Sequence, residues 1–245
     1  MMPSLVDQVT PALIRAEEHR RRWLRDPVAY VRERFRAEPD AWQAEALALF
    51  PSSPRLALKA CKGPGKTTVR AWLIWHFLDT RPYPKVAATS ITEDNLNDNL
   101  WPELAKWQQR SRELSERYTW SKTRIVRNDA PETVFASART WPKTADPQRQ
   151  AQTRAGLHAD AVLFVLDESG GIPQAVMTTA EAVLVNEGGE AHVIQAGNPD
   201  MRDGPLFRAC VTDRHLWAVV EITGDPDDPK RSPRISLDYA REQIT

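Results

Sequence analysis

From Pro54 onward, short apolar runs alternate with longer helical stretches, and the alternation itself predicts a fold class. Leu56–Ala60 reads as a strand, followed by a helix over Thr67–Leu78 that is apolar enough to be buried. Val86–Thr89 reads as a second strand, Glu93–Leu114 as one long helix, and Thr133–Ala136 as a third strand. Ala161–Leu166 is the strongest strand signal in the chain, six apolar residues with no polar alternation. Such a run fits a central parallel strand covered on both faces. Pro173 opens a further helix, and His192–Ala196 and Trp217–Ile222 read as the fifth and sixth strands. Strands alternating with helices predict a three-layer α/β domain with a mainly parallel sheet.

The flanks read differently. Residues 1–36 carry Arg15, Arg20, Arg21, Arg22, Arg25, Arg32, Arg34 and Arg36 among Leu, Val, Trp and Phe. One or two amphipathic helices are expected, the second opened by Pro27 after Asp26. Pro39-Asp40 starts another short helix. Gly224–Pro229 is rich in turn residues and reads as a linker, and a last helix begins at Ser236.

Charge narrows the function classes. Lys+Arg is 33 and Asp+Glu is 33, a net charge of zero in 245 residues. A strongly basic nucleic-acid coat is excluded, and any DNA contact must come from a local patch. The longest apolar run, Ala71–Leu78, is interrupted by His76 and is far short of the ~20 residues of a membrane span. Cys61 and Cys210 have no zinc-ligand spacing, so a reducing cytoplasm is the default setting.

The chemistry concentrates in three places. Ala60-Cys61-Lys62-Gly63-Pro64-Gly65-Lys66-Thr67 matches the phosphate-loop pattern, except that alanine stands at the first glycine position. A glycine-rich turn between a strand and a helix points backbone N–H groups at phosphate oxygens and adds the helix dipole. Lys66 would reach the β- and γ-phosphates of ATP, the Thr67 hydroxyl would ligate Mg²⁺, and Thr68 would complete the nucleotide contacts. Ala60 restricts the backbone and Pro64 supplies no N–H, which bears on the loop geometry. Asp167-Glu168 ends the most apolar strand. Asp167 would hold Mg²⁺ through water, and Glu168 would orient and deprotonate the attacking water. Gly197-Asn198-Pro199 ends the next strand, where the Asn198 amide could sense the γ-phosphate; ordinary turn chemistry is the alternative. Upstream, the Gln43 amide could pair with the adenine edge and Trp42 pack beside the base, or the two could simply face the core.

Together these pieces resemble the ATPase domain of tailed-phage large terminases. The resemblance also rests on Thr89-Ser90, Leu100-Trp101-Pro102-Glu103-Leu104 with Trp107, Gly156–Asp160, and Ile222–Pro226. It covers roughly residues 35–245. It implies a phosphate-loop NTPase of the additional-strand, RecA-like type with an N-terminal helical extension. The expected organisation is a helical segment at 1–36, the ATPase domain at 37–223, and at 224–245 a linker toward a nuclease domain not seen in the chain. The implied function is an ATP-driven motor that moves double-stranded DNA into a procapsid in the host cytoplasm. It would be assembled as a homo-oligomer on the portal protein, together with a small terminase subunit, and would be monomeric alone. No nuclease activity is expected of this chain. The resemblance further implies an arginine finger given to a neighbouring subunit, with Arg154 the first candidate and Arg139 and Arg149 behind it. Lys122, Arg124 and Arg127, flanking a possible hairpin, are the candidate DNA grip. Two other readings compete. A helicase-type translocase needs a second RecA-like domain, and a nucleotide switch without turnover needs no Glu168.

Overall fold

The structure is a computed structural model and describes residues 5–139, 157, 159–185 and 188–242. After helix α1 (Leu5–Arg25), Asp26 accepts from the Ala29 N–H and Pro27 stands at the first position of α2 (Pro27–Phe35). Both are standard ways of satisfying a helix start. Helix α3 (Ala41–Leu49) leads into β1 (Arg55–Ala60), α4 (Lys66–Thr80) and β2 (Pro84–Thr89). The stretch expected as one long helix is divided. It comprises α5 (Glu93–Asn95), a π-helical turn (Leu96–Leu100), α6 (Trp101–Gln109) and α7 (Arg112–Arg117). The break falls at Ser111, whose hydroxyl accepts from the Leu114 N–H and so begins a new helix. Then come β3 (Tyr118–Trp120), β4 (Arg124–Arg127), β5 (Phe135–Ala138), β6 (Ala161–Leu166), α8 (Gln174–Glu181), β7 (Glu190–Gly197), α9 (Gly204–Cys210), β8 (Ala218–Ile222) and α10 (Leu237–Glu242).

The sheet order is β3-β4-β5-β2-β6-β7-β1-β8. Among the described strands only β4 runs against the others; β3–β4 is the hairpin anticipated around Lys122. Side chains alternate between two cores. Leu56, Leu58, Val86, Leu163, Val165, Ile194 and Val220 face one side, with α2, α3, α4 and α6. Ala57, Ala87, Phe164, Leu166 and Val193 face the other, with Val176, Met177 and Ala180 of α8. This is the three-layer α/β sandwich expected, and every residue of β6 is buried. Helix α4 is enclosed on all sides from Val69 to Thr80, and its apolar residues fill the core around the buried Arg70, His76 and Asp79. His76 Nε2 donates to the Trp23 carbonyl at 2.7 Å, and Arg34 of α2 meets the buried Asp79 at 3.0 Å. The N-terminal helices are thus packed into the main core through Tyr30, Val31 and Phe35. No described helix is long and apolar enough to cross a membrane.

Candidate nucleotide site

The loop after β1 is shaped by two left-handed glycines, Gly63 at φ 79° and Gly65 at φ 99°, the latter capping α4. Ala60 is the last residue of β1, in register with Ile222 of β8, and is still extended strand. The first motif position therefore makes no demand for glycine here, and the turning is done at 63 and 65.

The chain order of strands in the sheet decides what meets this loop. Strand β7 lies between β1 and β6, so the C-terminal ends of three parallel strands converge on one edge. Open α/β folds bind ligands at that edge. Lys66 leaves the loop, Asp167-Glu168 leaves β6 and Asn198 leaves β7. The Lys66 ammonium donates to Asn198 Oδ1 at 2.5 Å and to the Cys61 carbonyl at 3.2 Å. Burial pushes its pKa down, the Glu168 carboxylate pulls the other way, and Arg70 pushes it down further. Glu168 is half-buried with φ 50°. A non-glycine residue in this left-handed region is strained, and its neighbours must hold it there. Gly197 explains part of that. A Cβ on it would lie 3.2 Å from the Ser169 nitrogen and 3.3 Å from that of Gly170, so the turn after Glu168 packs directly on the end of β7.

Arg70 is the site residue that sequence reasoning missed. It sits one turn after Thr67 on α4, is buried, and bonds the Asp167 carboxylate with one guanidinium nitrogen. Its other terminal nitrogen donates to Thr67 Oγ1 at 3.0 Å. The available signal is an arginine that opens the apolar run of α4, at the i+3 spacing that shares a face with Thr67.

The remaining sequence-predicted residues fall as follows. Cys61 and Lys62 line the outer side of the loop, and Pro64 is buried beneath it. The Thr68 hydroxyl donates to Glu103 at 2.8 Å, so that side chain faces α6 instead of the phosphates. Glu103 also accepts from the Trp107 indole at 2.7 Å and from Lys106 at 3.1 Å. Burial alone would raise its carboxyl pKa; these hydrogen bonds outweigh it and hold it below the ordinary value. The Leu-Trp-Pro-Glu-Leu segment is therefore a brace on the phosphate-loop helix. Gln43 accepts from the Asp40 N–H at 2.9 Å, while its Nε2 is buried without a partner, 3.1 Å from where a Cβ of Gly65 would stand. Trp42 lies in the large core. Arg139 follows β5, its Nε on Ser137 Oγ at 3.1 Å. Arg154, Arg149, Gly156 and His158 lie outside the described residues.

Two expectations about the surroundings change. The segment read as a linker folds back across the loop. Ser232 N–H donates to the Thr223 carbonyl at 3.1 Å, Arg234 pairs with Asp40 at 2.6 Å beside Gly65, and Ile235 covers Gly63. The basic candidates are also less free than their sequence suggests. Arg127 bonds Asp129 at 2.6 Å and the Pro82 carbonyl at 2.8 Å, and Arg124 lies over the Phe135 ring at 4.1 Å. Lys122 is exposed at the hairpin turn.

The residues fit a magnesium nucleotide. The left-handed glycines open the loop, a buried lysine points to its centre, and Gln43 Nε2 is an unsatisfied donor beside it. The hydroxyl and carboxylate a hard cation prefers are also held together, through Arg70. Comparison with protein-family models gives no match, and neither does comparison with curated proteins. Among solved structures, the large terminase of bacteriophage HK97 superposes with a TM-score of 0.63 at 15% identity, over 90% of this chain and 51% of that one. The large terminase of a thermophilic bacteriophage, in complex with ADP, gives 0.51 at 13% identity, over 82% and 45%. The chain thus spans about half the length of these proteins. At such identities the likeness speaks to architecture, and it agrees with the strand order and the loop: the chain has the phosphate-loop NTPase fold found in these large terminases.

Proposed function

We propose that this chain is the ATPase domain of a tailed-phage terminase large subunit, hydrolysing ATP to drive double-stranded DNA into a procapsid. One observation carries the reading. Lys66 of the loop, Asn198 of β7 and the Asp167-Glu168 pair of β6 share one sheet edge, with β7 inserted between the other two strands. A γ-phosphate held by Lys66 would lie beside both the Asn198 amide and the acidic pair. The ADP complex of the thermophilic phage's large terminase, similar in fold, supports a nucleotide as ligand.

The roles follow from position. The loop from Ala60 to Gly65 wraps the phosphates, and Lys66 exchanges its bonds to Asn198 and Cys61 for phosphate oxygens. Asn198 is released by that exchange, which suits it to report the presence of a γ-phosphate to β7. Magnesium, when bound, would neutralise charge on the β- and γ-phosphates, with Thr67 as ligand and Asp167 acting through water. Glu168 takes the proton of the attacking water. Gln43 offers its free Nε2 toward the base. An arginine from a neighbouring subunit, Arg154 in the first instance, would complete the charge stabilisation and confine fast turnover to the oligomer on the portal. Partners in this reading are DNA, the portal protein and a small terminase subunit, in the host cytoplasm.

The test is single-turnover hydrolysis with and without duplex DNA, alongside calorimetric ATP binding. Lys66→Ala is expected to abolish binding, and Glu168→Gln to keep binding and lose hydrolysis by at least about a hundredfold. Equal loss of binding in both variants would sink the role assignment. Wild-type binding without any hydrolysis would favour a nucleotide switch instead.

A further inference from the structure

Thr67 and Asp167 are the two side chains placed to receive magnesium, and both are already engaged by one cation. Arg70 joins the Asp167 carboxylate to the Thr67 hydroxyl, and the Arg70 and Asp167 side chains are only 1% and 3% exposed. A carboxylate so buried needs a counter-charge, and Arg70 is the group that supplies it. We propose that Arg70 is a positioning residue that competes with magnesium for the Thr67 hydroxyl while it stays anchored on Asp167. In this scheme it closes the metal site when no nucleotide is present and withdraws from the Thr67 hydroxyl when a magnesium nucleotide enters. The inference rests on the magnesium-nucleotide reading of the loop.

The physical argument has two parts. The Thr67 oxygen that would coordinate the metal faces a guanidinium N–H, and two cations cannot approach one hydroxyl oxygen from the same side without repulsion. Arg70 is also tethered one turn along the same helix, so its guanidinium can shift without leaving the carboxylate. Asp167 accepts Arg70 through Oδ1. Its second oxygen is a separate acceptor for a metal-bound water. The Nε of Arg70 is buried without a partner, so neighbouring groups do not lock the side chain at every nitrogen. A nucleotide lacking metal leaves the clamp in place, whereas a magnesium nucleotide must open it. The position of the Arg70 guanidinium beneath the loop therefore depends on what the loop holds.

The measurement is calorimetric ADP affinity of the full chain in excess magnesium and in excess chelator. The ratio of the two affinities is the coupling between metal and nucleotide. For Arg70→Met the ratio is expected to rise about tenfold over wild type, the scale of one charge-assisted hydrogen bond removed from the competing state. Thermal stability of the ligand-free variant should fall, and magnesium-ADP should restore more of it than in wild type. A role confined to packing predicts that both affinities fall together with the ratio unchanged, which would overturn the proposal. A smaller ratio would overturn it too. Should Arg70→Met not fold, Arg70→Lys keeps the charge but cannot span both oxygens, and a rise smaller than tenfold is expected; no rise counts against the clamp. If wild-type protein binds ADP in neither condition, the nucleotide site itself is wrong and the inference falls with it.

Discussion

At the scale of single residues, His76 carries a pH dependence far from the candidate site. It lies on α4, fully buried, donating to the Trp23 carbonyl and accepting from Arg81 at 3.2 Å. Burial first, and the Arg81 charge second, push its pKa down to about 3. The unfolded chain titrates near 6.5, so below that pH it binds a proton that the folded protein refuses. Stability from this residue is therefore complete above pH ~6.5 and falls as pH drops toward 3. By pH 5 the loss relative to pH 7.5 is about 2 kcal/mol. Glu190 works in a lower window: burial pushes its carboxyl up, but His192 and Arg81 overcome that and hold it at about 2. Its contribution is present above its ordinary value of 4.5 and is lost below, so the two effects separate at pH 5. Denaturant melts at pH 7.5 and pH 5 should show this loss in wild type and a much flatter profile in His76→Gln. An equal fall in both proteins would remove His76 from the account.

At the scale of elements, the candidate site depends on how β7 meets the turn after β6. Gly197 has no positive φ; its need for glycine is one of space, because Ser169 and Gly170 backbone atoms occupy the place of a side chain. A methyl group there must displace Ser169 and Gly170 by a few tenths of an ångström, and Glu168 immediately precedes them in the turn. Gly197→Ala should therefore lower the hydrolytic rate about tenfold while ADP binding, which rests on the loop after β1, changes little. Comparable losses in both would show that the turn and the loop are not independent. The same junction marks what the sequence can disclose. Apolar runs reveal β1, β2, β6 and β7, because strands buried on both faces leave no ambiguity of pattern. They also expose the acidic pair, since polar residues after such a run have to emerge at a sheet edge. The helix at 93–114 reads as continuous because Leu96, Leu100, Leu104, Trp107 and Leu114 keep one buried face through it. Periodicity reports that face and is blind to a π turn and to a fresh N-cap at Ser111. Helix α9 goes unread although Asp203-Gly204-Pro205 is a helix-start signal, because seven residues are too few for a period to show. Arg70 is hidden for another reason: its partners are 3 and 97 residues away, and only the fold brings all three together.

At the scale of the whole molecule, zero net charge is matched by local neutralisation. Arg20 and Arg21 pair with Glu17, Arg22 with Glu33, Arg32 with Glu38, and Arg34 with Asp79 and Glu113. Such pairs add little stability when exposed, but they set a carboxylate beside most of the arginines of the N-terminal helices. A motor of the proposed kind has to hold any duplex and then release it, which favours a few phosphate contacts over base readout. The hairpin β3–β4 remains the candidate, but its three cations are not equivalent. Lys122 is exposed, whereas Arg127 is held by Asp129 and the Pro82 carbonyl, and Arg124 by the Phe135 ring. Weak, sequence-independent binding that falls steeply with salt is expected for two unrelated duplexes. Lys122→Ala should flatten the slope of log affinity against log salt by about 0.9, the signature of one lost phosphate contact. Arg124→Ala and Arg127→Ala should leave that slope unchanged and lower the melting temperature instead, because they remove packing and a hydrogen bond within the fold. A slope unmoved by Lys122→Ala would place the grip elsewhere on the molecule. A slope moved equally by all three would mean that the arginines let go of their internal partners to meet DNA.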